Sequence, residues 1–280
     1  TKVVSLYLQY EGSKVDLIFD EKSIYEPNHR DKNRNEKSFA ILERRTNYFN
    51  FGIGADYLVY SKKNDAIPLN ASFGSFNFPS LRLEYNRALN SRWSGNADLF
   101  YGPGKSSSGN QVQVESGNFS WIIANLQASY TRPNWKTSFS GNGQLLYGAE
   151  FGLHYDSIPF MKSVSTADTT QTMEAASIVN ASLGGYATFL TSRQWEYDLN
   201  LHYLYPVSAS GFQLKSTMTF NGSIGALYKP ERSKWAYGLY WYGEMISAKV
   251  TENDAYTQTS VDSKTGLLYS NIEFRTFYRF

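Results

Sequence analysis

From position 46 to the C-terminus, apolar and polar residues alternate with a period of two over runs of about ten residues or more, which puts the two sets on opposite faces of extended strands. In residues 197–205, Tyr197, Leu199, Leu201, Tyr203 and Tyr205 oppose Asp198, Asn200 and His202. In 212–228, Phe212, Leu214, Met218, Phe220, Ile224, Ala226 and Tyr228 oppose Gln213, Lys215, Thr217, Thr219, Asn221 and Ser223. In 135–155, Trp135, Phe139, Leu145, Tyr147, Phe151, Leu153 and Tyr155 oppose Lys136, Ser138, Asn142, Gln144, Glu150 and His154. The last run carries Ile272, Phe274, Thr276, Tyr278 and Phe280 on one face, with Glu273, Arg275 and Arg279 on the other.

The runs are punctuated by short polar turns that lead straight into tryptophan: before Trp93, Trp135, Trp195 and Trp235. Pro, Asn and Ser are turn-formers, and a tryptophan at the first strand position places an amphipathic ring where lipid headgroups meet hydrocarbon. Longer polar stretches at 102–118, 161–174 and 248–265, with a shorter link at 206–211, read as loops at the opposite end. Counting from position 46 gives five hairpins, or ten strands. Residues 3–10 and 14–20 alternate well enough to form a sixth hairpin. The expectation is therefore twelve strands, with ten plus an N-terminal extension as the alternative. Residues 21–45 are a charged connection. Pro79 cannot donate to a ladder, so a bulge or break is expected there.

Composition sharpens the choice of solvent. Aromatics make up 16% of the 280 residues, yet the mean hydropathy is −0.44. A helical membrane protein needs about 20 nearly unbroken apolar residues per span. The longest uncharged run, 175–192, contains Asn180, Gly184 and Gly185. A membrane barrel escapes that test because each strand alternates lipid-facing and lumen-facing side chains. A soluble β-sandwich also alternates, but its strands are shorter and lack aromatic edges. Cysteine is absent, which excludes thiolate chemistry and disulfides. The net charge of +2 gives no basic field for nucleic acid. No positively charged, apolar-cored leader stands at Thr1, so the expectation for an exported protein is a mature or trimmed chain that has lost its signal peptide.

With those residues in view, the ending on Phe274, Tyr278 and Phe280 resembles that of bacterial, Gram-negative outer-membrane β-barrel proteins of porin-like type. The resemblance implies a single all-β domain spanning 1–280: a transmembrane antiparallel up-and-down β-barrel in outer-membrane lipid. It also implies that the terminal aromatics act as a signal for the barrel-assembly machinery. Short turns in such barrels face the periplasm, which puts the Trp93, Trp135, Trp195 and Trp235 belt on that side.

The inward parity collects Asp56, Arg82, Glu84, Asp98, Glu150, His154, Asp198, His202, Lys215, Glu244, Glu273, Arg275 and Arg279. Charges inside a narrow barrel need partners or water, or else they line a selective path. Two readings follow: a channel for small solutes, and a non-conducting structural barrel that self-associates laterally into a ring or array, able to enclose lipid, through small outward residues such as Gly95, Ala97, Gly141, Gly143 and Gly222. A lipid or peptide hydrolase is the third and least supported reading, because only His154 is expected near the outer rim and no acidic pair accompanies it. No calcium-loop spacing or paired histidines are found, so neither a metal nor a cofactor is expected.

Overall fold

The computed structural model describes residues 5–11, 14–20, 47–64, 70–90, 92–105, 113–114, 118–131, 144–163, 170–190, 194–230, 233–253 and 260–280. The strands are β1 (Ser5–Glu11), β2 (Lys14–Asp20), β3 (Tyr48–Asn64), β4 (Asn70–Ala88), β5 (Trp93–Lys105), β6 (Gln113–Val114) and β7 (Asn118–Thr131). They continue as β8 (Gln144–Ser163), β9 (Thr170–Leu190), β10 (Trp195–Ser210), β11 (Gln213–Tyr228), β12 (Trp235–Asn253) and β13 (Ser260–Arg279). Ten of them, β3 to β5 and β7 to β13, form a closed antiparallel up-and-down barrel. Closure is made by β13 against β3, in register from Arg279↔Tyr48 to Ser263↔Asn64.

This is the ten-strand alternative, and it corrects the expected twelve. The N-terminal hairpin exists, but β1 and β2 pair with each other, from Ser5↔Asp20 to Glu11↔Lys14, in a sheet of their own. The physical reason is twofold. Both edges of β13 are already paired, with β12 and with β3. A strand of 7 residues is also too short for a tilted crossing that takes about 9–11. The connection expected at 21–45 lies outside the described residues.

The outward side chains form a belt. On β3 they are Phe49, Phe51, Ile53, Ala55, Tyr57 and Val59; on β10, Trp195, Tyr197, Leu199, Leu201, Tyr203 and Tyr205. Leu199 is 53% exposed and Ile272 57%, at positions where water would have to cover a continuous apolar surface. At the tryptophan end the belt closes on paired rings: Trp93 with Tyr130 (centroids 5.0 Å apart), Trp195 with Tyr228 (5.1 Å) and Trp235 with Tyr278 (4.9 Å). At the other end lie Tyr57, Tyr101, Tyr155, Tyr203 and Tyr205. Beyond that girdle the outward residues turn to Ser61, Ser72, Ser120, Ser157, Ser177, Ser216 and Ser247, followed by Lys63, Lys105, Lys249 and Lys264. From Phe49 to Val59, at roughly 3.3 Å per residue and a tilt of about 40°, the rise is about 25 Å. That is the height of the hydrocarbon band of an outer-membrane barrel.

Past the line of serines the strands run on, which corrects the expected loops. Much of 102–118, 161–174, 206–211 and 248–265 is strand: β5 extends to Lys105, β8 to Ser163, β10 to Ser210 and β12 to Asn253. Along β12 and β13 the alternation goes on with Lys249 and Lys264 outward and Ala248, Val250 and Leu267 inward. A search for apolar rows facing lipid passes over them.

Pro79 acts as expected. The β3–β4 register shifts between Gly54 and Asp56, opposite it, and the β4–β5 ladder begins only at Leu81↔Tyr101. A residue without an N–H cannot carry the ladder through.

Candidate functional site

The bore has two storeys. The one on the loop side is filled by an apolar cluster that includes Leu58, Tyr60, Phe73, Phe100, Trp121, Ile123, Ile158, Phe160, Met161, Ile178, Tyr242, Ile246, Val250, Leu267 and Tyr269. Its contacts cross from wall to wall. Lys62 Nζ on β3 donates to the Met161 carbonyl on β8 at 2.6 Å, and the Met161 amide donates to the Tyr60 hydroxyl at 3.1 Å. Trp121 on β7 stacks on Tyr269 of β13, with centroids 4.8 Å apart. In the ring of strands these partners are far from adjacent, so the side chains meet in the middle of the bore.

The storey on the tryptophan side is polar and encloses a cavity of about 220 Å³. Arg82, on β4, forms its ceiling. Its Nε donates to both Glu273 oxygens (2.9 and 3.0 Å) and its Nη1 to Asp98 (2.5 Å), while its guanidinium carbon lies 5.1 Å from the Phe100 and Tyr242 ring centroids. Arg275 Nε donates to Glu273 at 2.8 Å and its Nη1 lies 3.6 Å from Glu84. Glu84 also accepts from Tyr48 (2.8 Å), Asn50 (2.9 Å) and Asn96 (2.6 Å). Glu84 and Glu273 thus take two or more donors each, the condition for burying charge.

Across the cavity, His202 Nε2 lies 2.9 Å from Glu150, and Ser129 donates to the same carboxylate at 2.9 Å. Asp198 accepts from Thr188 (2.6 Å) and Tyr240 (3.0 Å). Asp198 and His202, which share a strand face, therefore work with different partners. Near the lower rim, Lys229 and Glu196 pair at 2.8 Å, and Arg279 Nη2 donates to the Ser233 carbonyl at 2.5 Å.

A third group sits where the two storeys meet. His154 and Asp156 on β8 face Glu244 on β12, with His154 Nε2 at 2.8 Å from Asp156 and 3.5 Å from Glu244. Tyr242 donates to Glu244 at 2.5 Å. All three members are completely buried. This corrects the expectation that His154 stands near the outer rim. The strands continue well past it, so the rim lies beyond Phe160.

The inward residues singled out in the sequence are thus gathered in the bore, with one exception. Lys215 is 54% exposed and pairs outside with Asp262 at 2.6 Å. The β11–β12 register shifts between Leu214 and Ser216, so a bulge at Lys215 reverses the alternation. It turns Phe212 and Leu214 inward against the apolar cluster and leaves Lys215 on the surface. Outward, Phe274 and Phe280 are exposed and Tyr278 is half-buried. Trp93, Trp195 and Trp235 share one end of the belt, and Trp135 lies outside the described residues. Asp156, Asn125, Asn180 and Tyr242 are the members of the site that sequence reasoning misses. The inward parity of Asp156 beside His154 is the available signal.

No protein-family model matches the chain, and no curated protein matches it. Among solved structures it is similar to the outer membrane protease OmpT from Escherichia coli, at 9% identity over 84% of this chain and 97% of that one, with a TM-score of 0.49. It is also similar to an outer membrane channel from Pseudomonas putida F1 (12% identity, 81% of this chain and 95% of that one, TM-score 0.39). A third is OprG from Pseudomonas aeruginosa (12% identity, 84% and 97%, TM-score 0.31).

Proposed function

We propose that the protein is an integral barrel of the bacterial outer membrane, closed to passage in its resting state, that offers a polar chamber to the periplasm. The observation that carries this reading is the set of contacts spanning the bore: Lys62 to Met161, Tyr60 to Met161 and Trp121 on Tyr269. A section filled with aromatic and aliphatic side chains that meet across the bore raises a barrier to any hydrated solute. The chamber beneath it carries charges of both signs, from Arg82 and Asp98 at its ceiling to Lys229 and Arg279 at its lower rim. In this reading the exposed aromatics Phe274 and Phe280 serve assembly, and the apolar belt is solvated by outer-membrane lipid. His154 and His202 hold Asn125, Asn221 and carboxylates, a structural use that favours a non-enzymatic barrel.

The polar chamber is also what favours a second reading, a porin-like channel for small solutes whose upper storey parts on demand. Planar-bilayer recording separates the two. Folded protein is expected to leave the bilayer at background conductance. Reproducible stepwise openings in the unmodified protein would overturn the closed reading in favour of the channel.

A further inference from the structure

We propose that His154, Asp156 and Glu244 form a divalent-metal site of the zinc class that clamps β8 to β12 across the bore.

The argument begins with the histidine tautomer. Asn125 Nδ2 donates to Asp98 at 3.0 Å, which turns the amide oxygen toward His154, and His154 Nδ1 lies 2.5 Å from that oxygen. An oxygen acceptor at that distance requires Nδ1 to carry the proton. Asn221 Nδ2 also approaches Nδ1, at 3.5 Å, but the much shorter contact decides. Of the two neutral tautomers, this selects the one with its lone pair on Nε2, the form a metal would bind, and Nε2 points at two carboxylates. It lies 2.8 Å from Asp156 and 3.5 Å from Glu244, yet neither contact is aligned as a hydrogen bond. A neutral imidazole whose second nitrogen is fixed by an amide oxygen is the arrangement that orients a histidine toward a metal.

The oxygens give independent support. Asp156 Oδ1, Glu244 Oε1 and Asn180 Oδ1 are all buried, and among the described residues no hydrogen-bond donor reaches any of them. Asn180 belongs to the same group, since its Nδ2 lies 3.3 Å from Asp156 Oδ2. Buried acceptors in excess of donors are costly, and a cation satisfies several at once. Charge balance points the same way. With both carboxylates ionised and the imidazole neutral, the group carries two negative charges, and a divalent ion brings it to neutrality.

The spacing fits as well. Ligand atoms held about 2.0–2.2 Å from a tetrahedral ion lie roughly 3.3 Å apart. The observed 2.8 Å to Asp156 Oδ2 and 3.5 Å to Glu244 Oε2 straddle that value, the unpaired Oδ1 and Oε1 being the second oxygens of the same carboxylates, and one ligand atom from each of the three residues lies within 4.8 Å of the others. One nitrogen and two carboxylates suit zinc among the first-row divalent ions, and cobalt as its spectroscopic substitute. Asn125, Asn221 and Tyr242 touch this group and also line the chamber below, so the ion enters from the periplasmic side. The site is hidden in the sequence because its ligands come from two strands on distant parts of the wall.

The test uses tag-free protein refolded in detergent and stripped with a chelator. Calorimetric titration with Zn²⁺ is expected to show one ion per barrel, with a rise in Tm. Titration with Co²⁺ is expected to give the visible absorption of a low-coordinate nitrogen–oxygen site. Glu244→Gln and His154→Gln are expected to lose binding, and Asn125→Ala to weaken it by about tenfold. Failure of the unmodified protein to bind either ion, whatever the variants do, overturns the proposal. So does binding that Glu244→Gln and His154→Gln leave unchanged.

Discussion

Above and below the line of outward serines, the same ten strands are built with opposite insides. Below it, Leu199, Ile272 and Phe274 face out, while Arg82, Glu84 and Glu273 face in. Above it, Lys63, Lys249 and Lys264 face out, while Ile246, Val250 and Leu267 face in. The lower part is a membrane barrel, in which hydrocarbon solvates the outer surface and the polar groups must satisfy one another in the bore. The upper part follows the rule of a water-soluble barrel, with an apolar core under a polar coat. A strand can make this change without a break because its two faces are independent: only the identity of alternate residues has to be exchanged. The lesson concerns closure. A barrel that projects from the membrane acquires a hydrophobic core in the projecting part, and that core stops the bore.

The contrast between the storeys is tested most severely at the ceiling of the polar chamber. Arg82→Ala leaves Asp98 and Glu273 buried without their principal partner, and a loss of about 3–5 kcal/mol is expected on the scale of a broken buried ion pair. Equilibrium unfolding by guanidinium in detergent measures it. A loss no larger than that of a surface substitution would mean that water already solvates the group.

A charge added to the outer wall reads the boundary itself. Leu199→Arg, in the belt, is expected to cost about 2–4 kcal/mol in lipid vesicles, whereas Ser247→Arg, at the serine line, is expected to cost about 0–1 kcal/mol. Equal costs at the two sites would put the membrane edge elsewhere. In the apolar core, Ile246→Val removes one buried methylene and is expected to cost about 0.5–1.5 kcal/mol, measured by the same unfolding titration.

The smallest effect belongs to the surface. Hydrogen bonds from Lys215 and Thr251 hold the Asp262 carboxyl below its ordinary value. A depressed carboxylate contributes above the ordinary carboxylate range and loses that contribution as pH falls through its lowered value. Because the pair is exposed, Lys215→Ala is expected to leave the unfolding midpoint at neutral pH unchanged. It should also return the Asp262 titration toward its usual position in an NMR pH series.

How much of this is legible in the chain follows from the same two-storey design. The lipid-facing rows, such as Tyr197 to Tyr205, and the turn-plus-tryptophan rhythm can be read directly, and they give the ten strands. The upper storey reads as loops because residues such as Lys249, Thr251, Lys264 and Asp262 look like solvated loop chemistry. The apolar partners between them, Ile246, Val250 and Leu267, face a core that a membrane reading does not anticipate. Strict alternation puts Lys215 inside, because a bulge shifts parity by one without leaving any mark in composition. The N-terminal hairpin is visible as a hairpin, but local alternation cannot say which edge a strand will join. The His154 group is hidden for a related reason: β8 and β12 are far apart in sequence and become partners only when the wall closes.

A plugged upper storey requires that the polar chamber be reached from the tryptophan end alone. The chain has no cysteine, so Ser223→Cys places a single thiol on the chamber wall. In proteoliposomes with the barrel inserted in one orientation, a small charged methanethiosulfonate is applied to one side at a time. Rapid modification is expected from the tryptophan-turn side and none from the opposite side. Equal rates from both sides would show that the bore is open from end to end.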